Sequence, residues 1–145
     1  MTEWPFVLWF SSTLLVLAVA LPVFGRMVGG RSTIRLATIG AAGVALSSIA
    51  NVIEDGFRVD AAFFAFVGGT LILIGSLLAL TIWIARAAPG AVRFLAIIPA
   101  GTVAGFLLFV AAGGPILLVT WFAAAVAALS DLPAHTAAPA EASTT

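Results

Sequence analysis

The chain has 145 residues, of which 63% are hydrophobic and 8% charged, with a mean hydropathy of +1.24 and a formal net charge of zero. A water-soluble domain carries about a quarter of its residues as charges, so this composition excludes one, and zero net charge excludes a basic nucleic-acid binder. With no cysteine, disulfides, thiolate metal sites and a cysteine nucleophile are excluded as well.

Lipid is therefore the expected solvent, and apolar runs of bilayer length, about 20 residues each, recur along the chain. The first covers residues 4–24. Its leading charge is Glu3, where a secretory signal would place positive charge, so it reads as a retained span. The stretch GRMVGGRSTIR comes next, and its glycines and arginines predict a wet loop. A second span is expected over residues 34–53, meeting the acidic junction SSIANVIEDGFRVD, and a third over residues 61–84. ARAAPGAVR then marks another turn, flanked by Arg86 and Arg93.

Residues 94–129 are almost wholly apolar, and as one helix they would extend on the order of 50 Å, beyond a hydrocarbon core of about 30 Å. Gly113 and Gly114 suit a helix end and Pro115 the start of the next helix, which gives spans over residues 94–112 and 115–130. The fifth is short and carries Trp121 near its middle, where tryptophan is unusual, so a re-entrant or kinked C-terminal segment is the alternative to a full crossing. The proline-, alanine- and threonine-rich residues 131–145 predict a disordered tail.

The expected fold class is thus all-α, a polytopic transmembrane bundle of five spans forming a single domain over residues 1–130. Arg26, Arg31 and Arg35 flank one turn, and Arg86 and Arg93 flank another that falls on the same side. The positive-inside rule makes that side cytoplasmic, with the N-terminus outside and the tail inside. Trp4, Trp9 and Trp83 fall near the interfaces. All six basic residues are arginine, which suggests a GC-rich bacterial genome and hence an inner (plasma) membrane. The two arginine-flanked hairpins, each leading to a small-residue motif (AAG at Ala41 to Gly43, PAG at Pro99 to Gly101), form a weak parallel repeat.

Chemistry is sparse. On a helix, Ser47, Asn51 and Glu54 or Asp55 share one stripe, which Arg58 continues if the helix survives Gly56. With Asp60 these residues form the candidate binding set, an outward-facing polar pocket for a cation or proton. The plainer reading is a wet loop, in which Glu54 pairs with Arg58, Asp60 caps the third helix and Asn51 bonds a neighbouring helix. No EF-hand-like loop is present, and no metal or cofactor is expected. The arginine turns could hold anionic lipid head groups or a phosphate, since Gly25, Gly29 and Gly30 expose backbone N–H groups beside Arg26 and Arg31.

Small residues spaced by four, Gly43 with Ser47, Gly75 with Ala79, Gly101 with Gly105 and Ala123 with Ala127, predict close helix contacts. The single histidine, His135, lies in the expected tail, and adjacent carboxylates on a helix point about 100° apart, so no enzyme is expected. Two functions remain. One is an accessory, structural or regulatory subunit whose partners are the bilayer and a membrane protein or a second copy. The other is a small transporter or channel element using Ser47, Asn51, Glu54 and Asp55.

Overall fold

The helices run nearly end to end in this chain because it offers few alternatives: apolar side chains with almost no charge satisfy their backbone only internally. The structure, a computed structural model, describes residues 4–108 and 114–136. Helix α1 covers Trp4–Val28, α2 Arg31–Asn51, α3 Ala62–Ala87, α4 Ile97–Leu107 and α5 Gly114–Thr136. A π-helical turn, Val52–Gly56, extends α2, and a 3-10 segment, Gly90–Ala96, leads into α4. Among the described residues there is no strand.

Three of the helices, α1, α2 with its π turn, and α3, are long and apolar enough to cross a membrane, whereas Val92–Leu107 and Pro115–Val126 are shorter apolar helices. The expected loop at GRMVGGRSTIR shrinks to two residues, and Arg26, Arg31 and Arg35 belong to helix ends. Gly29 and Gly30, at φ 82° and 85°, make that turn in a region that other residues enter at a cost. Tightness follows from Gly25, where a Cβ would lie 2.7 Å from the Cβ of Ala37, so α1 and α2 touch directly below the turn. At the far end, α5 continues to Thr136, past the expected boundary at residue 130, which brings His135 into the helix. Of the expected break, Gly114 and Pro115 open α5, while Gly113 and residues 137–145 of the expected tail lie outside the described residues.

α2 is the middle layer: half of its apolar window is buried, against 28% in α1 and in α3. Its buried positions form two stripes. Ala37, Ala41, Val44, Ser48 and Asn51 recur at helical spacing, as do Gly40, Gly43, Ser47 and Ala50. α1 presents Val7, Ser11, Leu14, Leu21 and Phe24, and α3 presents Gly69, Leu73, Ser76, Leu80 and Ile84. Among the described residues Leu21, Leu73, Leu77, Leu80, Ile84 and Ile98 are the largest fully buried side chains. The outer surface stays apolar: Val16, Val19, Phe64, Leu71, Leu118 and Val119 are all exposed.

α4 and α5 pack as a hairpin in which a Cβ at Gly101 would strike Thr120. Trp121 meets Phe24 of α1 edge-on with ring centroids 6.3 Å apart. A tryptophan in mid-helix thus serves packing, as the hub that returns α5 to the first helix.

Candidate functional site

The residues proposed from the sequence as one outward polar stripe divide between two helix contacts. Asn51, buried, donates from Nδ2 to Ser11 Oγ at 3.0 Å, and Ser48 Oγ donates to the Ser11 carbonyl at 2.9 Å. Both bonds tie α2 to α1. Ser47 turns the other way: its Oγ donates to the Phe66 carbonyl at 3.0 Å and lies 3.2 Å from Thr70 Oγ1 on α3. A polar group in an apolar stretch is costly unless partnered, and each of these three finds its partner on a neighbouring helix.

Their continuation fails at the π turn. An α-helix would carry the stripe from Asn51 through Glu54 and Asp55 to Arg58, but the wider turn over Val52–Gly56 rotates the residues beyond it, and Arg58 at φ 58° ends the helix. The Val59 N–H reaches back to the Ile53 carbonyl at 3.3 Å, closing a C-terminal loop one residue wider than a Schellman cap. Asp55, Arg58 and Asp60 are exposed and Glu54 half-buried. Asp60 does not cap α3, whose N-cap is Ala61 with no side-chain hydrogen bond; only its backbone carbonyl takes the Phe63 N–H, at 3.1 Å. Among the described residues no three His, Asp or Glu side chains gather where a metal could bind.

Trp4, which the sequence marked only as an interfacial residue, holds this end. Its ring packs against Gly56, where a Cβ would sit 2.7 Å from the ring edge, and meets Phe57 at 5.6 Å in a T-shaped contact. α1 thereby grips both the Asn51 hydrogen bond and the π turn beyond it.

The small-residue contacts also fall partly elsewhere. Gly43 lies at a true backbone crossing, since a Cβ there would stand 2.7 Å from the Gly69 carbonyl oxygen and 2.8 Å from the Leu73 nitrogen. The partner glycine on α3 is Gly69. Gly75 is exposed, and a Cβ there would meet nothing within 4 Å, so it makes no close helix contact among the described residues. Gly101 faces Thr120 and Gly105 is buried in α4. The five arginines of the turns, Arg26, Arg31, Arg35, Arg86 and Arg93, are exposed and stand at the end opposite Glu54, Asp55 and Asp60.

A cavity of about 180 Å³ lies between α1, α2, α3 and α4, lined chiefly by Phe10, Leu14, Val44, Phe66 and Phe106. Its hydroxyls, Ser47 and Thr70, are already bonded to the Phe66 carbonyl, so its wall asks for no polar ligand. No family profile, curated protein or solved structure matches this chain.

Proposed function

We infer that this chain is a small integral membrane protein acting as an accessory, structural or regulatory subunit, with no catalytic role of its own. The observation that carries the reading is the use made of its polar side chains. Ser47, Ser48 and Asn51 spend their hydrogen bonds on neighbouring helices, leaving the core between α1, α2 and α3 without a polar path, while the outward faces are apolar. Transport would call for polar groups turned toward a shared pathway. In the proposed orientation the arginine end faces the cytoplasm and the Trp4 end the exterior, with α4 and α5 completing the crossings of a bacterial inner-membrane protein.

Two measurements test this. Single cysteines at positions 31 and 55, labelled in intact cells with a membrane-impermeant maleimide, should react only at 55; equal reactivity from outside rejects the orientation. Purification in a mild nonionic detergent should yield a defined oligomer or a stoichiometric membrane-protein partner. Flux through reconstituted liposomes that disappears with Asn51→Leu would overturn the subunit reading in favour of transport.

A further inference from the structure

We propose that the cavity between the Gly29–Gly30 turn and the end of α3 is a binding site for a phosphate group, either the head group of an anionic lipid or a free phosphate. The cavity encloses about 320 Å³ and is lined by Gly29, Gly30 and Thr33 on one side and by Trp83, Ala87 and Pro89 on the other. Since one water occupies about 30 Å³ of liquid, it holds a phosphate with several waters.

Its donors come from the start of α2. The first backbone bond of that helix runs from the Ile34 N–H to the Gly30 carbonyl at 3.1 Å, so the N–H groups of Arg31, Ser32 and Thr33 precede the intrahelical ladder. No side chain caps them. A 21-residue helix directs a partial positive charge toward this end.

The second observation is Thr33 itself. It is 3% exposed, lines the cavity, and places Oγ1 3.7 Å from where a Cβ of Gly30 would stand, yet its hydroxyl makes no hydrogen bond among the described residues. Every other buried serine and threonine in the described structure is bonded through its side chain or accepts such a bond: Ser11, Ser47, Ser48, Ser76 and Thr102. Of Arg31, Ser32 and Thr33, the last is the one that lines the cavity, so its hydroxyl, at the uncapped start of α2, is placed to donate to an anion. Trp83, 46% exposed, places an indole on the opposite wall. The five exposed arginines of this end supply a positive field that concentrates anions at the opening.

Glycine at 29 and 30 is then needed for the positive φ of the turn, and at 30 its missing Cβ also leaves the side of the Thr33 hydroxyl open. The chemistry of the cavity stands apart from the membrane reading above; only the lipid source depends on it.

The test uses the full ¹⁵N-labelled chain in neutral maltoside micelles at constant ionic strength, titrated separately with dihexanoyl phosphatidylglycerol and with inorganic phosphate. Saturable movement of the Arg31, Ser32 and Thr33 amides and the Trp83 indole N–H is expected with at least one probe. Response to the lipid alone assigns a head group, and response to both assigns any accessible phosphate. Thr33→Val should weaken binding about three- to tenfold, as loss of one charge-assisted bond implies, with Thr33→Ser restoring it. The Thr33→Val chain should keep the remaining spectrum, because the hydroxyl it removes makes no hydrogen bond among the described residues. Amides 31–33 that stay fixed in the unmutated chain under both probes overturn the proposal, as does an affinity indifferent to Thr33→Val, which would leave only diffuse attraction to the arginines.

Discussion

α2 meets its two neighbours by different means. Toward α3 it removes side chains, so that Gly43 and Gly69 bring backbone against backbone. Toward α1 it inserts polar ones, so that Ser48 and Asn51 reach across to Ser11. Lipid supplies no hydrophobic drive between helices, which leaves close packing and interhelical hydrogen bonds as the available adhesives; the backbone crossing is confined to the α3 side, where Ser47 adds bonds to Phe66 and Thr70, while Ser48 and Asn51 carry the polar contacts toward α1. Packing cannot be adjusted when the obstacle is main chain, whereas a lost hydrogen bond can be replaced locally. The two contacts should therefore differ in tolerance to substitution.

Gly69→Ala should do the most harm. Its methyl would fall 2.5 Å from the Gly43 carbonyl oxygen and 2.8 Å from the Ser47 nitrogen, and only separation of the helices relieves that. We expect a loss of about 3 kcal/mol, read as a lowered unfolding midpoint in mild detergent. Gly56→Ala creates a similar overlap with the ring edge of Trp4, a side chain that can swing aside, so its cost should be nearer ~1 kcal/mol. Equal effects at the two sites would refute the distinction between backbone and side-chain obstacles.

On the α1 side, a double-mutant cycle of Ser11→Ala and Asn51→Leu should give a coupling of about 0.6 kcal/mol, the usual size for hydrogen bonds between membrane helices. Ser11 can turn its hydroxyl to its own helix once Asn51 is gone, which keeps the cost low. A coupling above ~2 kcal/mol would mean that this contact, and not the glycine crossing, dominates. Gly75→Ala, where nothing lies within 4 Å, should be neutral or stabilising by a few tenths of a kcal/mol, on the order of a modest helix-propensity gain.

Much of the helical layout was legible. The apolar runs at residues 4–24, 34–53 and 61–84 match α1, α2 and α3 to within a few residues, because length and hydropathy determine both. Asn51 stood out for a sound reason, as a polar group in an apolar run. Its direction was not legible: a helix with two neighbours has two buried stripes, and periodicity does not say which faces which. Gly69 and Gly75 pose the same difficulty. Both fit a small-residue pattern, and only the crossing point of α2 distinguishes them. The π turn left no mark that spacing could reveal, since EDG at Glu54 to Gly56 reads equally as the plain end of a helix. The apolar part of Trp121 is explained by Phe24, a partner far away in sequence, while its buried indole N–H makes no hydrogen bond among the described residues.

The π turn at Val52–Gly56 holds one residue more than an α-helical path over the same rise would need. Deleting a single residue there would remove the bulge and let α2 run on in regular register, re-spacing the side chains within the turn while those beyond it keep roughly their present direction. Glu54 and Asp55 would then point elsewhere, while the Ser11 contacts upstream stayed in place. A one-codon change at this spot is thus a dial for redirecting the acidic rim without disturbing the helices beneath it.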